Sequence, residues 1–211
     1  MTKQELAAIC IARLKAEYPD SDCTLDYDHA WQLLVSVRLA AQCTDARVNV
    51  VVQELFAKYP GVKELAAADP ADIEAIVKPC GLGHSKARDI SACMRMLRDR
   101  YDCHVPDDFN ALLALPGVGR KTANVVLWGG FGINEGLAVD THVKRISGRL
   151  GLTKHTDPVD IEKDLIKLFP QSEWGKVNHR MVWFGRHVCD ARKPLCDECE
   201  MAPFCPKVGV E

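Results

Sequence analysis

Long apolar runs are missing from this 211-residue sequence, and none approaches the length a transmembrane helix needs. No signal peptide precedes the first helical pattern. Six singly scattered cysteines (Cys10, Cys23, Cys43, Cys80, Cys93, Cys103) are therefore expected as free thiols in a reducing cytosol, not as a disulfide framework. Strand-like alternation of apolar and polar residues is absent as well, so the expected fold class is all-α. Flavin and nicotinamide motifs are lacking, which argues against redox catalysis on a bound dinucleotide. A surplus of charge is also wanting: the formal net charge is −2, and by itself it announces no nucleic-acid partner. What remains is an ordinary globular composition, 47% hydrophobic and 27% charged. The length suffices for one sizeable domain or two small ones.

The charge is unevenly placed. Met1 to Asp28 is acidic, whereas His84 to Tyr101 and Gly117 to Lys154 carry a Lys/Arg surplus, as a one-faced contact with DNA requires. Within the second basic stretch lies Leu115-Pro116-Gly117-Val118-Gly119-Arg120-Lys121. Asp108 to Ala114 before it reads as a short helix, with Asp107 or Asp108 as N-cap. Pro116 stops that helix. Gly117 and Gly119 permit positive φ and a close backbone approach. From Arg120 a second helix begins, with Ala123, Val126 and Leu127 on its apolar side. This is a helix–hairpin–helix whose backbone N–H groups, at a helix N-terminus, favour an anion such as phosphate. A glycine-capped turn between two core helices is the bland alternative.

Thr2-Lys3-Gln4-Glu5 has the form of a capping box and opens an amphipathic helix bearing Leu6, Ile9, Ile11 and Leu14, ended before Pro19. Asp20 to Asp28 is polar and turn-like. Trp31 to Gln42 is apolar nearly all round and predicts a buried helix. Thr44 caps the next helix, Asp45 to Lys58, which stops at Pro60-Gly61. Asp69-Pro70 starts another that runs to Val77. Gly81-Leu82-Gly83-His84-Ser85-Lys86-Ala87 echoes Gly117 to Ala123, a weak repeat that predicts two hairpins with different jobs, since Ser85 stands where Lys121 does. Asp157-Pro158 starts a helix to Phe169, and His179 to Cys189 is a last, aromatic-rich one.

Cys189, Cys196, Cys199 and Cys205 form C-x6-C-x2-C-x5-C. Four thiolates this close can wrap one centre, zinc or a [4Fe–4S] cluster. Only one tight pair exists, and Pro206 follows the last cysteine as in ferredoxin-type runs, which favours iron–sulfur. Arg192 and Lys193 project from the same loop.

LPGVGRKTANVVL (115–127) and VDTHVKRISGRLGL (139–152) together resemble the helix–hairpin–helix DNA glycosylases, specifically the endonuclease III branch, and the resemblance covers nearly the whole chain. It implies two helical domains: residues 22–131, containing the hairpin, and residues 1–21 with 132–211, carrying an iron–sulfur loop, the active site lying in the cleft between them. It implies Lys121 as nucleophile and Asp140 as its catalytic partner; branch members that only remove a base lack that Lys. Gly117, Val118, Gly119 and Arg120 would bind the DNA backbone, Gln42 and Leu82 would fill the gap left by a flipped base, and the loop with Arg192 and Lys193 would clamp phosphate. The cysteine spacing matches the family's cluster loop, so a structural [4Fe–4S] cluster is expected.

The resemblance further implies a monomer in the nucleoid-containing cytoplasm of a prokaryote, acting on double-stranded DNA with damaged pyrimidines or abasic sites. The helix N-terminus, Arg120 and partial burial are expected to lower the pKa of Lys121. Asp140 also reads as the N-cap of a helix from Thr141 to Leu150, and His142 reads as a packing residue. Two rivals stay open: a monofunctional uracil or thymine glycosylase of the same fold, and a non-catalytic helix–hairpin–helix DNA-binding module.

Overall fold

A computed structural model describes residues 1–210. Eleven α-helices and three short 3-10 turns, with no strand, make up the regular structure of the described residues. The chain divides into two compact units. One is contiguous, Thr24–Ile133; the other joins Met1–Cys23 to the chain from Asn134 onward.

The contiguous unit holds α2 (Ala30–Leu39), α3 (Asp45–Lys58), α4 (Val62–Ala67), α5 (Pro70–Val77), α6 (Gly83–Arg100), α7 (Phe109–Leu113) and α8 (Arg120–Phe131). Side-chain caps set several starts: Thr44 Oγ1 accepts from Arg47 N, Asp69 Oδ1 from Ala71 N, and Asp108 Oδ1 from Ala111 N. Helix α6 is the centre, with α4 and α5 packed along it. Ile90, Met94 and Leu97, at helical spacing, are buried there with Leu65 and Ile73. Helix α8 lies against α2. Its Gly129 and Gly130 make the approach close: a Cβ on Gly129 would stand 2.7 Å from Leu33 Cδ2, and one on Gly130 3.0 Å from Ala30 Cβ.

Local expectations fail in three places here. Helix α2 ends at Leu39 and not at Gln42, which lies beyond the C-cap Ala40. Helix α4 has no side-chain cap at Gly61 to announce it. Helix α8, whose apolar side was traced only as far as Leu127, runs on through Trp128-Gly129-Gly130-Phe131 until Gly132 closes it at φ +70.

The split unit packs α1 (Lys3–Glu17), α9 (Thr141–Arg149), α10 (Pro158–Leu168) and α11 (Trp174–His187). The Thr2/Glu5 capping box forms as expected, though Cys10 faces the core where Ile9 was expected to. Leu14, Ile146, Leu165, Val177 and Met181 share one core. Helix α11 begins five residues before His179, because buried Glu173 anchors its start. That carboxylate accepts from Lys15 Nζ of α1 at 2.7 Å and from Arg180 Nη1 at 2.5 Å. Removing Glu173 would strand the buried Arg180 guanidinium.

Candidate functional site

In the contiguous unit the hairpin closes through Leu115 N donating to Leu112 O (3.0 Å) and Val118 N to Leu115 O (3.2 Å). Gly117 takes φ +76, and a Cβ there would meet Asp89 Cβ at 2.9 Å and Arg38 Nε at 3.1 Å. Arg38 and Asp89 form a half-buried ion pair at 2.7 Å. Burial pushes the Asp89 carboxyl up, but hydrogen bonds from Arg38 and Arg88 outweigh it and hold the group below the usual carboxylate range. Gly119 differs from its expected role. It sits at φ −104, ψ 176, extended backbone open to any residue, as the N-cap of α8, and a Cβ there meets nothing within 4 Å.

No side chain caps α8, and a helix provides no internal partners for its first-turn N–H groups. That turn therefore presents donors and the positive end of the helix dipole. Arg120 lies over the Phe109 ring at 4.8 Å, which orients its guanidinium. Lys121, the second residue of α8, is exposed. The partial burial expected to desolvate its amine is absent.

Gln42 and Leu82 occupy two separate loops of the same unit. Both are exposed, and both adopt left-handed backbone, φ +58 and +51. Leu82 leaves 56% of its surface in solvent, which no core role explains. Between the loops sits a residue that sequence patterning passed over. Lys86 is fully buried, and its Nζ donates to Leu39 O at 2.8 Å and Cys80 O at 2.9 Å. Burial pushes its pKa down. Trp128 is half-buried in α8 and makes no contribution to these loops that the geometry identifies.

In the split unit Asp140 caps α9, its Oδ1 accepting from His142 N and Val143 N at 2.8 Å each. His142 Nδ1 stands 3.6 Å from Asp140 Oδ2, beyond hydrogen-bonding range. Two further arginines of α9, also unsignalled in the sequence, hold the cysteine loop. Arg145 donates to Gly185 O (3.1 Å) and Cys189 O (3.1 Å), and Arg149 to Asp190 O (2.6 Å) and Ala191 O (2.9 Å). Gly185 leaves the room: a Cβ there would stand 2.7 Å from Arg145 Nη2. Asp190 Oδ1 accepts from the backbone N–H of Arg192 (2.8 Å) and Lys193 (3.0 Å), and these bonds hold its carboxyl below the ordinary range. Both basic side chains are exposed.

Cys189, Cys196, Cys199 and Cys205 are free thiols that line one hollow with Leu150, Phe184, Val188 and Met201. Arg149 Nη1 donates to Cys189 Sγ at 3.3 Å and Lys207 N to Cys205 Sγ at 3.4 Å. Burial pushes the thiols of Cys199 and Cys205 up. Among the described residues, no three His, Cys, Asp or Glu side chains converge closely enough to hold a single metal ion.

Residues 35–171 match the family described as HhH-GPD superfamily base excision DNA repair protein. Over 205 residues the chain is 49% identical to endonuclease III of Synechocystis sp., covering 97% of this chain and 94% of that protein. The chain belongs to the endonuclease III family. Endonuclease III of Bacillus subtilis is 40% identical over 197 residues, 93% of this chain and 90% of that one. Two solved structures, a non-covalent endonuclease III–DNA complex and a trapped endonuclease III–DNA covalent intermediate, each superpose with a TM-score of 0.92 at 41% identity. They cover 98% of this chain and 96% and 97% of theirs. A thermostable thymine-DNA glycosylase, 20% identical with a TM-score of 0.87, shares the fold.

Proposed function

We propose that this protein is a base-excision repair DNA glycosylase with abasic-site lyase activity, taking oxidised pyrimidines of the thymine glycol type from double-stranded DNA. The carrying observation is an exposed lysine, Lys121, in the uncapped first turn of α8 directly behind the hairpin, in a chain 49% identical to an endonuclease III along nearly its whole length. The first-turn N–H groups and Arg120 of that hairpin suit a backbone phosphate, which positions the duplex without reading its sequence. Gln42 and Leu82 are the groups we assign to the space a flipped base leaves.

The neutral amine of Lys121 attacks C1′ of the sugar, and the C1′–N bond breaks with its electrons going to the departing base, which takes up a proton. Ring opening gives an imine between Nζ and C1′. Loss of a C2′ proton then expels the 3′ phosphate, and water releases the unsaturated aldehyde and regenerates the amine. Asp140 stabilises the positive charge that develops on the sugar as the base leaves, while its Oδ1 keeps capping α9. The two compact units are on this reading the catalytic hairpin domain and the cluster domain, in a monomer.

Cys189, Cys196, Cys199 and Cys205 would hold a [4Fe–4S] cluster, whose contribution is to brace the loop bearing Arg192 and Lys193. A single zinc takes four thiolates within about 2.3 Å of one point, a tighter fit than a [4Fe–4S] cluster asks. Their shared hollow, its apolar walls and the N–H donors to two sulfurs fit a larger cluster. The named relatives are bacterial, and we assign the protein to the nucleoid of a prokaryotic cytoplasm. Among the described residues no helix is long and apolar enough to cross a membrane.

Borohydride trapping tests the reading. Parent protein should be joined covalently to duplexes carrying an abasic site or thymine glycol, and Lys121→Gln should abolish trapping while lesion binding stays within about threefold. Full trapping by Lys121→Gln would assign the nucleophile to another amine.

A further inference from the structure

A fully buried lysine is rare, because its ammonium must find partners inside or be expelled. Lys86 finds two. Leu39 is the last residue of α2 and Cys80 the last of the 3-10 turn Lys78–Cys80. Carbonyls at such ends lack helical partners and carry the negative end of the dipole, so a cation between them is well placed. The two carbonyls belong to segments some forty residues apart. Just beyond each lies one of the exposed tips: Gln42 follows Leu39 by three residues, and Leu82 follows Cys80 by two.

Both tips are held in left-handed backbone, which is costly for residues with a Cβ. Such conformations persist only where the surroundings over-determine them. Around Leu82 the fixing contacts are few. Gly81 N donates to Lys78 O, Lys86 N and (at 3.5 Å) Ser85 Oγ donate to Leu82 O, and the Lys86 ammonium reaches across to the other loop. Lys86 thus braces the Leu82 loop through both its backbone and its side chain.

We infer that Lys86 is a positioning residue: one buried ammonium ties together the loops bearing Gln42 and Leu82, so that both enter the duplex as a preformed two-pronged wedge. The inference rests on the assignment of those tips to DNA made above. Ordering the pair in advance removes an entropic cost that would otherwise fall on the flipping step. Phosphate contacts of the hairpin are not involved.

The test is unstacking of 2-aminopurine placed beside the lesion, read by fluorescence, together with binding to undamaged duplex. Gln42→Ala and Leu82→Ala should each lower the unstacking signal and slow excision by about tenfold. Lys86→Met should do the same while undamaged-duplex affinity stays within about threefold. Combining Lys86→Met with Leu82→Ala should fall little below the deeper single variant, because Leu82 is one of the two tips that Lys86 positions; multiplicative losses would mean a merely structural lysine and overturn the inference. Full unstacking by Lys86→Met, with the two alanine variants impaired, overturns the clamp alone. Intact unstacking by the alanine variants overturns the wedge assignment beneath it. Should Lys86→Met lose its helical circular dichroism, Lys86→Gln, which keeps an amide donor but is shorter and uncharged, takes its place. Intermediate unstacking then supports the clamp, and parent-like unstacking refutes it.

Discussion

Asp140 has two separable jobs, and two substitutions pull them apart. Its Oδ1 satisfies two first-turn N–H groups of α9, each at 2.8 Å. Asp140→Ala removes that acceptor and the charge beside the helix N-terminus, about 2 kcal/mol taken together. For a chain of this size that corresponds to a melting temperature lower by roughly 4–8 °C. Asp140→Asn keeps an oxygen in the capping position and loses only the charge, about 0.5 kcal/mol, or roughly 1–2 °C. Excision should not follow stability. If the negative charge steadies the developing positive charge on the sugar, both variants should slow single-turnover release of thymine glycol by about 10²–10³-fold. Strand cleavage at a pre-formed abasic site, where no base is expelled, should suffer much less. Excision by Asp140→Asn within about threefold of the parent would refute the catalytic role and leave Asp140 a cap.

Four further outcomes are expected. Gly117→Ala combines a positive φ with a Cβ 2.9 Å from Asp89 and should weaken binding to damaged and undamaged duplex alike. Gly119→Ala puts alanine at the N-cap of α8, which costs about 0.5–1 kcal/mol and should lower the melting temperature by roughly 1–4 °C; a loss of DNA affinity in this folded variant marks a backbone approach too close for a methyl group. Because the Asp89 carboxyl is held low in the folded protein, its ion pair stabilises above the unfolded value of about 3.9 and is lost as pH falls through the lower folded value. Asp89→Asn should therefore lower the neutral-pH melting temperature and flatten its decline on acidification; an unchanged acid limb would refute the pairing. Protein purified without added metal should be yellow-brown and carry about four irons per chain, and stoichiometric zinc without iron would overturn the cluster assignment.

Much of the fold was legible because several helix starts are written in single residues. Thr2, Thr44, Asp69, Asp108, Asp140 and Asp157 all cap the helices their spacing announced. Helices without such a signal were missed or misplaced: α4 begins at a glycine, and α11 begins after Glu173, whose role is an ion pair and not a cap. Lys86, Arg145 and Arg149 lie in the two basic stretches read as a DNA-facing surplus, and their burial was not legible, since what buries a cation is a set of carbonyls contributed by distant segments. The hydrophobic period says which face of a helix turns inward, but not that a charged group will be welcome there. Lys121 shows the reverse, an amine expected to be part-buried that lies in solvent.

The split unit has a consequence for how the chain is made. Helix α1 leaves the ribosome well before the helices it packs against, α10 and α11, are translated. At about 5–20 residues per second, the interval is on the order of ten seconds or more. Throughout it the contiguous helices can complete their own core, while Leu6, Ile11 and Leu14 wait uncovered. Nascent chains are accordingly most exposed to chaperones and proteases at their amino-terminal helix, and synthesis stalled before Trp174 would leave that helix without its principal partner.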